Sequence, residues 1–240
     1  MRKYLFIAYP VWLYVLFTFP ALIAAALLKT LLGTDPLIAH MAGAAGMCLT
    51  YMAGKRKRMK RLPAVPWKRI FRLSGLMLAP VATLTVILTG KAFSNLDWNT
   101  YLPVVLGTFF WASLSEELLF REFLITRMKE TGMTAWVMIP LTALLFSLCH
   151  RPETGSLFLQ RLVTGMLLGC LYLGSGDIAL TVSTHWIYNT IVYTFQTTLP
   201  SVTLLYSSGR AGLNVLLCLL SLLGTVVVYS INKSKFAGYT

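Results

Sequence analysis

Apolar residues in this chain come in long blocks, and polar residues gather in the short stretches between them. A helix that crosses a bilayer needs about 20 consecutive apolar residues. The blocks predict about eight such helices, at 5–29, 36–54, 73–91, 101–127, 133–150, 157–174, 178–199 and 212–231. A membrane barrel would instead show segments of about ten residues with alternating hydrophobicity, and no such alternation is present. The expected fold is all-α: a polytopic membrane helical bundle with a polar site inside it.

Composition strengthens this picture. The chain has 240 residues, of which 57% are hydrophobic and 12% charged, and these proportions lie far from those of a water-soluble domain. No internal repeat, low-complexity segment or long linker divides it, so residues 1–240 are expected to form a single membrane domain. The first apolar block is too long for the core of a secretory signal, and Lys29 follows it without a clear small-residue cleavage site; it reads as a retained helix. Cys48, Cys149, Cys170 and Cys218 all lie in apolar blocks without C-x-x-C spacing and read as packing residues.

The formal net charge of +13 raises the question of nucleic acid, and the placement of the charges answers it. Six of the seven residues in KRKRMKR, 55–61, are basic and fall between two apolar blocks. Such clusters mark cytoplasmic loops. With eight spans, both termini then lie in the cytoplasm, in keeping with Arg2, Lys3, Arg127, Lys129, Lys233 and Lys235. Lys68, Arg69 and Arg72, interleaved with Trp67, Ile70 and Phe71, predict a short interfacial helix, so that residues 55–72 would meet anionic lipid headgroups. No nucleic-acid partner is expected.

Charge inside a span is costly and usually faces a functional interior. Of the eight acids, Asp35, Asp97, Glu130, Glu153 and Asp177 fall at block ends, whereas Glu116, Glu117 and Glu122 lie inside the fourth block. On a regular helix Glu117 and Arg121 share a face as an i,i+4 ion pair. Glu116 lies about 100° around from Glu117. Its same-face neighbours, Ala112, Ser113, Leu119 and Phe120, include no cation. A desolvated carboxylate of that kind is a candidate general base, although a carboxylate bracing two helices would look the same in sequence.

The chain has three histidines: His40, His150 and His185. His40 reads as a packing residue. His185 and Asn189 are spaced i,i+4, which sets two hydrogen-bond donors side by side. A hairpin turning near Gly132 would put Glu116, 16 residues before it, and His150, 18 after it, at nearly the same depth, offset by about 3 Å. The depth of His185 relative to Glu116 does not follow from spacing.

Taken in order, Glu116-Glu117-x-x-x-Arg121, Phe146-x-x-x-His150 and His185-x-x-x-Asn189 resemble the three motifs of the CAAX protease and bacteriocin-processing (Abi) family, which includes the type II CAAX prenyl endopeptidases. The resemblance covers residues 100–195 as a catalytic core. It implies an intramembrane endopeptidase in which Glu116 and His150 activate a water, while His185 and Asn189 stabilise the oxyanion. It further implies that Glu117 and Arg121 hold the fourth helix in register and that Phe146 packs beneath His150. The substrate implied is a membrane-associated peptide, prenylated or leader-bearing, cut near the cytoplasmic leaflet of a bacterial plasma membrane. A metal-free glutamate mechanism is preferred, with zinc on Glu116, His150 and His185 as the alternative, since H-E-x-x-H is absent and Asn189 is a poor zinc ligand. The competing reading is a non-catalytic bacteriocin-immunity or scaffold protein of the same fold. A proton-coupled transporter would also use buried carboxylates and histidines, but it usually carries repeated halves, which are missing here.

Overall fold

In hydrocarbon each backbone N–H and C=O has to be satisfied within the protein, which a helix achieves inside one segment. The apolar blocks have accordingly folded as helices in the computed structural model, which describes residues 2–33, 37–54, 67–198, 206–231 and 233. In chain order the helices are α1 (Arg2–Leu32), α2 (Leu37–Gly54), α3 (Trp67–Thr89), α4 (Trp98–Glu130), α5 (Ala135–Cys149), α6 (Gly155–Ser175), α7 (Ile178–Thr198) and α8 (Tyr206–Ile231). A 3-10 turn at Gly90–Asn95 follows α3. No strand occurs among the described residues. Asp35, the basic run 55–61, Lys235 and the side chain of His40 lie outside the described residues.

By length and apolarity, segments of α1, α4 and α6 are each sufficient to cross a membrane, and shorter apolar stretches lie in α2, α3, α5 and α8. Large apolar side chains point outward, among them Leu31 at 77% exposure and Val86 and Ile87 at 71% each. Water would not tolerate such a surface; lipid does. Residues 67–72, expected as a short interfacial helix leading into the third span, form the first turns of α3.

The helices fall into two units. In the first, which comprises Met1–Arg61 and Trp98–Gly132, α1 packs on α2 and both pack on α4. Thr50 Oγ1 ties α2 to α1 by donating to the Leu13 carbonyl at 3.2 Å. The helix α4 is not uniform: Pro103–Phe109 and Leu118–Ile125 are wound with wider π turns. The first of these starts at a proline, whose missing N–H and bulky ring disrupt the regular ladder. Arg127, counted among the cytoplasmic charges at the end of the fourth block, is buried inside α4 and pairs with Glu130 at 3.1 Å.

The second unit comprises Leu62–Asp97 and Met133–Thr240. Here α6 packs against α5, α7 and α8, and α3 packs against α7 and α8. Leu78 and Val81 of α3 meet Tyr188 of α7 in its core. Close contact between α5 and α6 is possible because Gly165 and Gly169 present bare backbone: a Cβ at Gly165 would lie 3.0 Å from the Ala143 Cα. Helix ends are capped in the usual ways. Thr154 accepts from the Leu157 N–H at 3.2 Å to start α6, and Gly176, at φ 72°, ends it; Asp177 then accepts from the Ala179 N–H at 2.8 Å to start α7. Buried threonines satisfy their hydroxyls on carbonyls of their own helices, as Thr142 does on Met138 and Thr194 on Thr190.

Candidate active site

The polar residues singled out in the sequence divide between the two units: Glu116, Glu117 and Arg121 are in the first, and Phe146, His150, His185 and Asn189 in the second.

In the first unit, Glu117 Oε2 lies 3.1 Å from Arg121 Nε, with both side chains fully buried. Desolvating two charges costs several kcal/mol each, which only close mutual contact offsets. The Arg121 guanidinium also lies 5.7 Å from the Phe120 ring centroid. Glu116 is half-buried on the preceding turn. The expectation that no cation influences Glu116 needs correcting. It assumed regular α geometry, but π winding begins at Leu118, and Arg121 lies in the electrostatic field of Glu116 as well as Glu117. A wider turn favours i,i+5 neighbours, the spacing of Glu116 and Arg121, and single π turns of this kind are frequent at functional sites.

In the second unit the structure brings both histidines to one aromatic ring. Phe146, on α5, is almost wholly buried; its ring centroid is 4.5 Å from that of His150 and 5.7 Å from that of His185 on α7. His150 Nδ1 is 2.7 Å from the Phe146 carbonyl. A carbonyl only accepts, so the proton sits on Nδ1 and Nε2 is the basic nitrogen of the neutral ring. His185 is buried, and Asn189 follows one turn later on the same face of α7, half-buried.

Three groups that sequence reading passed over support this arrangement. Ser147 Oγ donates to the Phe158 carbonyl at 2.8 Å, and Arg161 Nη1 donates to the His150 carbonyl at 2.9 Å, both linking α5 to α6. Gly165 and Gly169 form a G-x-x-x-G pattern in an apolar helix, a signal of close helix approach that was available in the sequence. Nothing in the local spacing marks Ser147 or Arg161. Among the described residues, no group of three His, Cys, Asp or Glu side chains is placed to hold a metal ion. None of Cys48, Cys149, Cys170 and Cys218 takes part in a disulfide.

Long apolar helices that bury ionised and imidazole side chains define an integral membrane protein with an internal polar site. Residues 98–191 match the family described as Rce1-like, type II CAAX prenyl endopeptidase. The matched stretch makes up 94 of the 240 residues and holds all three motifs. No curated protein and no solved structure matches the chain.

Proposed function

We propose that the protein is a glutamate-type intramembrane endopeptidase acting on a short membrane-associated peptide, prenylated or leader-bearing. In this reading Glu116 takes a proton from the attacking water, whose second hydrogen is held by His150 Nε2. The water oxygen bonds to the scissile carbonyl carbon, and the carbonyl π electrons move to oxygen. His185 and Asn189 donate to that oxyanion, a role in which aimed donors lower barriers by several kcal/mol. Collapse breaks the C–N bond, and the protonated Glu116 gives its proton to the leaving amine. Glu117, Arg121 and Phe146 hold these groups without touching the reacting atoms.

The observation that supports this most is the contact of the Phe146 ring with both imidazoles, which come from positions 35 residues apart and from two different helices. Two histidines placed only for packing would have no reason to share one ring beside a half-buried carboxamide. A plasma-membrane location with both termini cytoplasmic, and headgroup contact at residues 55–72, complete the proposal.

The test is cleavage of a peptide pool, including prenylated peptides, by purified protein in detergent, comparing wild type with Glu116→Gln. Wild type is expected to cut, and the variant to lose on the order of 10²–10⁴-fold. A strong chelator should leave the rate unchanged; loss of activity with chelator would replace bare glutamate chemistry with zinc. Equal rates for the two proteins would overturn the reading in favour of a scaffold or immunity role.

A further inference from the structure

His150 closes α5, and the groups that hold it there come from α6. Its backbone carbonyl is among the last four of the helix, which have no N–H partner further along. Arg161 Nη1 supplies that partner at 2.9 Å. One turn earlier Ser147 Oγ donates to the Phe158 carbonyl at 2.8 Å, so the last turn of α5 is tied to α6 at two points. The next residue, Arg151, adopts φ 45°, a left-handed conformation that a residue with a Cβ keeps only when its surroundings demand it. The end of α5 is thus held in place by contacts beyond its own helical ladder.

The neighbouring residue of α6 serves the other histidine. Gln160 is buried; its Nε2 donates to the Tyr188 hydroxyl at 2.7 Å and to Thr164 Oγ1 at 3.2 Å. Thr164 Oγ1 in turn lies 3.5 Å from both Tyr188 Oη and Ser221 Oγ, which extends the network to α8. Tyr188 is three residues after His185, on the same side of α7, and directly precedes Asn189. An amide donor on the tyrosine therefore fixes the rotation of α7 about its axis. Consecutive residues on a helix project about 100° apart, so one turn of α6 can grip α5 with Arg161 and α7 with Gln160.

We infer that Gln160 and Arg161 are positioning residues that set the geometry of the two histidines, Arg161 through the His150 carbonyl and Gln160 through Tyr188. The inference takes the roles of the histidines from the protease reading, but its first readout does not depend on cleavage. With three histidines in the chain, ¹⁵N-histidine NMR of the full-length protein in nanodiscs gives a simple spectrum, assigned with His150→Gln and His185→Gln. In wild type His150 should appear as the Nδ1–H tautomer. Arg161→Gln should turn that signal into a mixture of tautomers and leave His185 unmoved; Gln160→Leu should shift His185 and leave His150 unmoved.

In the cleavage assay each variant should lose kcat, by up to about 10²-fold for a displacement on the order of 1 Å, with KM within about twofold of wild type. Arg161→Lys keeps a cationic donor and should recover part of the rate and the wild-type tautomer, which also serves if Arg161→Gln folds poorly. Unchanged histidine spectra in folded Arg161→Gln and Gln160→Leu would overturn the inference, whatever the activity. Shifted spectra with a wild type as inactive as Glu116→Gln would uphold the positioning and overturn the protease reading.

Discussion

Glu117 and Arg121 meet at 3.1 Å inside α4, and neither side chain retains any exposed surface. Removing one partner leaves the other buried and charged, at a cost of about 3–5 kcal/mol. Glu117→Gln and Arg121→Gln should each destabilise the protein by that amount, while the double variant should lose clearly less than the sum. Unfolding midpoints in detergent across this cycle provide the check; strict additivity would show that the pair is not coupled.

Gly165 leaves no room for a side chain: a Cβ there would sit 3.0 Å from Ala143 Cα and 3.3 Å from Phe146 Cδ1. Since the first obstacle is backbone, Gly165→Ala should push α5 and α6 apart, costing about 1–3 kcal/mol, and cleavage should fall as Phe146 is displaced. Gly169→Ala is the control, because its Cβ would meet Ile139 Cγ2 at an ordinary 3.4 Å. It should be neutral, or stabilising by about 0.5–1 kcal/mol through helix propensity. Thermal unfolding and peptide turnover measured on both variants separate the two cases.

Phe146→Leu keeps an apolar side chain between α5 and its neighbours but removes the ring that both imidazoles touch. It should cost less stability than the about 3–5 kcal/mol of a Phe→Ala change, yet lower kcat by on the order of 10-fold or more as both histidines lose their reference surface. Steady-state kinetics will decide: a wild-type kcat would reduce the ring to packing.

Asn189→Ala removes a proposed oxyanion donor and should lower kcat by about 10²–10³-fold with little change in KM. Asn189→Asp would set a negative charge against the developing oxyanion and should be slower still. Because Asn189 is only half-buried, both variants should unfold close to wild type. A fall in KM-dependent binding with kcat preserved would assign Asn189 to substrate binding instead.

Much was legible in the order of residues because lipid makes strong demands on sequence. A segment that must satisfy its own backbone and face hydrocarbon has to be helical and apolar over its length, so the helix positions followed from the apolar blocks, as α5 at Ala135–Cys149 did from the block at 133–150. Glu117 and Arg121 could be paired from spacing because four residues is a local distance that the helix itself sets. The exceptional cost of charge in such segments made Glu116, His150 and His185 conspicuous before any packing was known.

What the order of residues could not state are relations set by how helices pack. Arg121 lies in the electrostatic field of Glu116 as well as of Glu117, and π winding begins at Leu118, whereas regular periodicity offered Glu116 no cation. Arg127, read from its charge as lying at the cytoplasmic end of the fourth block, is buried inside α4. The meeting of Phe146 with His185, and the grip of Arg161 on His150, join residues 39 and 11 positions apart whose distance depends on crossing geometry and on the close approach allowed at Gly165. Sequence alone determined which residues must be helical and which are too costly to be idle in lipid, because both follow from local solvation. Only the tertiary structure decided which of them share a ring or a carbonyl, because that depends on packing between helices.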